Sequence, residues 1–154
     1  MRKKKKNKIL IIHGPNLHLL GRREKNIYGD FTLKELEKEL EEKAKKLKVE
    51  VINFQSNFEG EIIEKITHED YDFLIINPAG LTHTSVAIRD AILAVNKPAI
   101  EVHISNIFSR EPFRQKSLIS DVVLGVITGL GKNSYLLALE AACSFLSEKN
   151  RNSS

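Results

Sequence analysis

Short apolar runs alternate along this chain with segments in which apolar residues recur at helical spacing. KILIIH (Lys8–His13) is rich in strand-forming residues and is stopped by Gly14-Pro15, so it predicts a first strand. A long loop rich in Gly and Asn follows, ending near Gly29-Asp30. Thr32 then opens TLKE, an N-cap with Glu35 at the capping-box position. Leu33, Leu36, Leu40, Ala44 and Leu47 follow on one face of a predicted helix, with Lys and Glu between them.

The alternation continues to the end of the chain. VEVINF (Val49–Phe54) predicts a second strand, and a helix over about 59–67 places Ile62, Ile63 and Ile66 on one face. DFLIIN (Asp72–Asn77) predicts a third strand and 84–95 a helix, with Thr82 or Thr84 able to cap it. PAIEVH (Pro98–His103) and VVLGVIT (Val122–Thr128) predict strands four and five. The last helix, over about 132–148, is apolar all round, as expected of a helix that is deeply buried or meets another subunit. Short apolar strands separated by helices specify an α/β fold with a doubly wound parallel sheet. The size suits a five-stranded, flavodoxin-like sheet in the order 2-1-3-4-5. The expected organisation is one catalytic domain over 8–149, a disordered basic tail at 1–7 and a frayed tail at 150–154.

Composition narrows the class of partner. The chain has 154 residues and a formal charge of +4, much of it in the opening MRKKKKNK. That run is expected to be a solvated tail, since no basic–aromatic patch in the body supports nucleic-acid binding. The apolar run after it is too short for the core of a secretory signal, and no stretch approaches a membrane span. Cys143 is the only cysteine, so no internal disulfide can form, and a reducing, cytoplasmic setting is expected.

Ligands of an open parallel sheet bind beyond the carboxyl ends of its strands, and the polar residues gather there. After strand one come Gly14, Pro15 and Asn16, then Arg22, Arg23 and Tyr28. After strand three come Asn77, Pro78, Ala79, Gly80 and His83. Strand four ends in Glu101-Val102-His103-Ile104-Ser105, followed by Arg110 and Arg114. Period two puts Glu101 and His103 on one side of the sheet, where a carboxylate can orient an imidazole as a general acid. A tyrosinate held by a nearby arginine is a plausible base. Each feature alone has a plainer reading: a histidine at a strand end, an exposed loop tyrosine, a Gly-Pro turn before a capped helix.

Other motifs carry less. GLGKNS (Gly129–Ser134) lacks the first glycine of a phosphate loop, where Val126 stands, and has Asn133 in place of its Ser or Thr. No G-x-G-x-x-G follows strand one. The five histidines show no metal-ligand spacing, and no metal site is expected. Cys143 in the apolar helix reads as core.

Taken together, HGPNLHLLGRRE…YG (His13–Gly29), INPAGLTHTSVAIRDA (Ile76–Ala91), IEVHISNIFSREPFRQKS (Ile100–Ser117) and the weaker QSNFEGE (Gln55–Glu61) resemble the type II 3-dehydroquinate dehydratases. The resemblance implies a cofactor-free hydro-lyase converting 3-dehydroquinate to 3-dehydroshikimate and water. That step belongs to the shikimate pathway of aromatic amino acid biosynthesis or to the quinate pathway. By resemblance Tyr28 is the base, Arg23 keeps it ionised, and Asn16 orients a water that stabilises an enolate. His103 is then the acid and Glu101 orients it. Asn77, His83 and Arg114 bind substrate hydroxyls, and Ile104 and Ser105 hold the carboxylate through backbone N–H groups. Asp90 reaches a neighbouring subunit's site, which implies a homo-oligomer, trimers assembling to a dodecamer.

The chain departs from the family pattern at His13, His18, Lys25 and Phe58, none of them among those residues; His18 is expected to point into the site. The same reaction by a Schiff base needs a strand-end lysine, which the matching blocks lack. The competing reading is a non-enzymatic flavodoxin-like ligand-binding module.

Overall fold

In the computed structural model, which describes residues 4–153, five strands form one parallel sheet in the order β2-β1-β3-β4-β5. They are β1 (Lys8–His13), β2 (Glu50–Gln55), β3 (Phe73–Asn77), β4 (Ala99–His103) and β5 (Gly125–Thr128). The helices are α1 (Lys25–Tyr28), α2 (Leu33–Leu47), α3 (Glu59–His68), α4 (Val86–Val95) and α5 (Asn133–Asn152). This is the doubly wound, flavodoxin-like architecture expected of the alternating pattern. Side chains alternate across the sheet, so Ile9 and Ile11 join the core under α2 and α5 while Leu10 and Ile12 join the one under α3 and α4. The central strands are covered on both faces, and β1 from Ile9 to Ile12 is fully buried.

Local hydrogen bonding accounts for the start of α2. Thr32 caps α2, its Oγ1 accepting from the Glu35 N–H at 3.1 Å. In α5, Tyr135, Ala138, Leu139, Ala142 and Leu146 form the buried stripe, while Leu137 stays exposed. The helix is therefore amphipathic in its packing despite its apolar composition.

Four boundaries differ from the sequence expectation, each for a tertiary reason. Val122 to Leu124 precede β5 instead of opening it: Val122 closes a turn on Ile119, and Val122 and Val123 pack on the α4 side as a loop. α4 begins at Val86, capped by Ser85, whose Oγ accepts from the Ile88 N–H at 2.9 Å. Neither Thr82 nor Thr84 caps it. The stretch 25–28, expected as loop, is a turn of helix. Finally, α5 continues through Asn152, so the frayed tail expected at 150–154 is helical over its first three residues. The basic tail expected at 1–7 lies partly outside the described residues. Over 4–7 there is no regular element, yet the Asn7 carbonyl accepts from the Glu50 N–H at 2.9 Å, extending the β1–β2 pairing. Among the described residues no helix is long and apolar enough to cross a membrane.

β1 ends in a histidine with no access to solvent. Burial holds the His13 imidazole at about 4, below its ordinary 6.5, with the hydrogen bond to Asn53 opposing the shift. The unfolded chain therefore takes up this proton first as pH falls. The stability contribution of neutral His13 is complete above pH 6.5 and is lost as pH drops toward about 4. The loss amounts to roughly 3 kcal/mol. Urea unfolding from pH 7 to pH 4 is expected to show this component in the unaltered protein and not in His13→Gln. Parallel pH profiles for the two would show that His13 does not titrate in this way.

Candidate active site

Parallel register sets the carboxyl ends of the strands side by side. His13 pairs with Gln55 and Asn77 on its two sides, and His103 pairs with Thr128. The first connection turns immediately beneath the third. Gly14 donates its N–H to the Asn77 carbonyl at 2.8 Å, and a Cβ at Gly14 would lie 2.5 Å from the Pro78 oxygen, so only glycine fits. Asn16 and Ala79, both with positive φ, bend the two connections away from the sheet. Between these connections and the one after β4 lies a cavity of about 200 Å³.

Nine residues singled out in the sequence line this cavity: Asn16, Arg23, Tyr28, Asn77, His83, His103, Ile104, Ser105 and Arg114. Pro15 and Ala79 line it as well. Tyr28 sits at the end of α1 and is nearly buried. Arg23 donates from Nη2 to the Tyr28 hydroxyl at 3.2 Å, and its guanidinium carbon lies 4.1 Å from the ring centroid. A second cation, missing from the residues assigned from the sequence, completes the clamp. Arg110 donates from Nη1 to the same hydroxyl at 2.7 Å and to Ser105 Oγ at 3.3 Å. Both donors are charge-assisted, and they converge on the one phenol oxygen.

On the β4 side, His103 Nε2 lies 2.5 Å from Glu101 Oε2. Glu101 has no solvent access and stands behind His103, outside the cavity wall. A buried carboxylate is costly unless its oxygens are satisfied. Here Thr82 donates to Oε2 at 2.9 Å, and Ser117 lies 3.0 Å from both oxygens. The acceptor-only carboxylate requires the Nε2–H form of His103, leaving Nδ1 as the remaining ring nitrogen. The carboxylate thereby fixes the tautomer and the orientation of the imidazole.

Other residues complete the rim. His83 Nδ1 is 2.8 Å from the Lys116 carbonyl, so this nitrogen carries the proton and Nε2 can accept. Arg114 is steadied by Glu111 at 2.6 Å, which holds the Glu111 carboxyl below the usual carboxylate range. Asp90 sits exposed on α4, away from this chain's own cavity. His18, expected to point into the site, is exposed beside Arg22 and Thr32 and contributes nothing to the cavity. Among the described residues no cluster of His, Cys, Asp and Glu is placed to hold a metal ion.

The residues that sequence reasoning missed are Arg110, Thr82 and Ser117. Arg110 carried the only usable signal, as a second cation beyond strand four. Nothing in its local pattern separates it from Arg114. Thr82 looked like a helix cap because its hydroxyl's true partner lies on another strand.

The chain matches the family described as Dehydroquinase class II over residues 7–143. It is 55% identical to a 3-dehydroquinate dehydratase of Halothermothrix orenii over 143 residues, 91% of this chain and 96% of that protein. It is 52% identical to one of Francisella philomiragia, over 92% of this chain and 97% of the relative. The crystal structure of the type II dehydroquinase from Propionibacterium acnes superposes with a TM-score of 0.87 at 41% identity, covering 90% of this chain and 97% of that one.

The Glu101 cage makes a stability prediction. Thr82→Val keeps the shape and removes one donor from a buried carboxylate, so it is expected to cost about 1.5–3 kcal/mol in urea unfolding. A loss under about 0.5 kcal/mol would mean that Ser117 and His103 satisfy Glu101 without it.

Proposed function

The chain belongs to the class II dehydroquinase family and has the 3-dehydroquinate dehydratase activity of that class, and we propose that it removes water from 3-dehydroquinate stepwise, through an enolate. The observation that carries this mechanism is the double clamp on Tyr28, in the same cavity as the His103–Glu101 pair.

Tyr28 acts as the base. Its hydroxyl oxygen takes charge-assisted donors from both Arg23 and Arg110, which hold that oxygen toward the cavity. The phenolate takes the proton from the carbon next to the ketone, and the C–H electrons move onto the ketone oxygen as an enolate. Asn16, at the mouth of the cavity, orients a water that stabilises the enolate charge. The enolate then collapses, the bond to the β-hydroxyl breaks, and His103 protonates the departing oxygen as water. Tyr28 is left protonated and His103 neutral, and transfer of one proton through solvent resets both. Glu101 orients His103 throughout.

Substrate binding is shared around the rim. Asn77, His83 and Arg114 take the ring hydroxyls, and the N–H groups of Ile104 and Ser105 take the carboxylate. The backbone of these two residues is anchored through its carbonyls, by Gly131 N–H at 3.0 Å and Thr128 Oγ1 at 2.9 Å. Asp90 completes the site of a neighbouring copy in a homo-oligomer, trimers assembling to a dodecamer. The chemistry requires no bound cofactor, and a cytoplasmic setting fits the single cysteine.

The test is the ultraviolet absorbance of the conjugated enone that appears when the protein meets 3-dehydroquinate; a flat trace from folded protein would reject the activity. Tyr28→Phe should abolish turnover with an unchanged circular dichroism spectrum, and retained turnover would remove Tyr28 from the base role. Arg110→Ala should lower kcat roughly 10- to 150-fold, the kinetic equivalent of one lost charge-assisted bond. An unchanged rate would leave the clamp to Arg23 alone.

A further inference from the structure

Beneath the cavity floor, leading inward from the substrate-binding Asn77, lies a buried chain of polar side chains whose inner members the dehydration mechanism does not use. It begins at the cavity wall, where Asn77 Oδ1 accepts from the Ala79 N–H at 3.0 Å. It continues from Asn77 Nδ2 to the Tyr135 hydroxyl at 2.9 Å, and from that hydroxyl to His13 Nδ1 at 3.2 Å. It ends at Asn53, whose Oδ1 is 3.0 Å from His13 Nε2. His13 and Tyr135 have no solvent access and Asn77 almost none, so water cannot substitute for any of these partners.

The direction of every bond follows from one backbone group. The Ala79 N–H can only donate, so the atom facing it on Asn77 is the oxygen. The other end of that amide must donate to the Tyr135 oxygen. Burial holds the Tyr135 phenol protonated, well above its usual range, so its own O–H still needs an acceptor. Among the described residues the acceptor in reach is His13 Nδ1, which must be bare; Nε2 then carries the ring proton and donates to Asn53. A neutral imidazole supplies this combination of one acceptor and one donor. Its low proton affinity keeps it neutral at working pH, with the Glu37 carboxylate, 3.9 Å from Nε2, the nearest charge.

We infer that His13 is a positioning residue for the cavity: as a one-acceptor, one-donor link it fixes the Tyr135 hydroxyl, and through it the Asn77 amide and the Ala79 backbone, in the orientation that faces the ligand. Ala79 has φ 54°, a left-handed conformation that an alanine does not favour and that its neighbours must hold. The Asn77–Ala79 bond is one such restraint, and the Tyr135 oxygen, by accepting from Nδ2, helps hold the Asn77 amide in the orientation that makes it. Asn77 keeps one amide hydrogen and one oxygen lone pair for the ligand. The inference rests on the dehydratase reading for the identity of that ligand, not for the network.

The test compares Tyr135→Phe, His13→Leu and His13→Gln. Tyr135→Phe and His13→Leu each break the chain, and each should raise KM for 3-dehydroquinate roughly 5- to 10-fold with kcat nearly unchanged. His13→Gln, whose amide also offers one acceptor and one donor, should restore KM. In 15N–1H NMR the Ala79 amide should shift in Tyr135→Phe and in His13→Leu and return in His13→Gln. If His13→Leu does not fold, Tyr135→Phe, which loses one oxygen only, decides by the same two readouts. A lowered melting temperature with KM and the Ala79 amide unmoved would overturn the inference. Should the unaltered protein leave 3-dehydroquinate intact, the dehydratase reading fails, and the Ala79 amide still decides whether the network positions the wall.

Discussion

Parallel pairing of β1 with β3 and of β3 with β4 is the constraint on which the rest of this molecule depends. Because the strands run the same way, their carboxyl ends and the connections that leave them meet at one edge. The ladder sets His13 level with Asn77, and Ile76 level with Glu101. Gly14 allows the first connection to pass against Pro78 at a separation no side chain would tolerate. Residues distant in sequence become partners only through that edge: Arg110 reaches Tyr28 across 82 positions, and His13 reaches Tyr135 across 122.

The edge is polar and much of it is buried, so most of its groups must find partners; among the described residues, the buried side-chain atoms left without one are Asn53 Nδ2 and Arg110 Nε. The two sides of the cavity solve this with opposite charges. A phenol is given two cations, and an imidazole is given an anion that is itself caged by two hydroxyls. Each group is thereby held in one orientation by charged partners on its own side of the cavity. Below them the His13–Tyr135–Asn77 chain carries no charge and so can lie wholly within the core. Charged groups at the cavity and neutral ones beneath it form two layers of a single hydrogen-bonded rim.

Much of this was legible before any coordinates. The strands, their order as a class and the helix cap at Thr32 follow from period, branching and short-range hydrogen bonding. Period two placed Glu101 and His103 on one side, and their contact bears that out. The failures share a cause. Thr82 has the spacing of a cap, but its hydroxyl is taken by Glu101, and Ser85 caps α4 in its place. Val122 and Val123 are as apolar as a strand, yet the ladder reaches only Gly125. Arg110 and Arg114 are indistinguishable in local pattern, and only one of them reaches Tyr28.

The sequence by itself determined which segments become strands and helices, which residues share a face, and which polar residues lie at the carboxyl edge, because these depend on interactions within a few positions of the chain. Tertiary structure alone decided which of those residues touch. The second arginine on Tyr28, the hydroxyls around Glu101 and the direction of the hydrogen bonds through His13 depend on strand register and on how the connections fold over the edge. A hydrogen bond is decided over a few tenths of an ångström, and only the packed core fixes positions that finely.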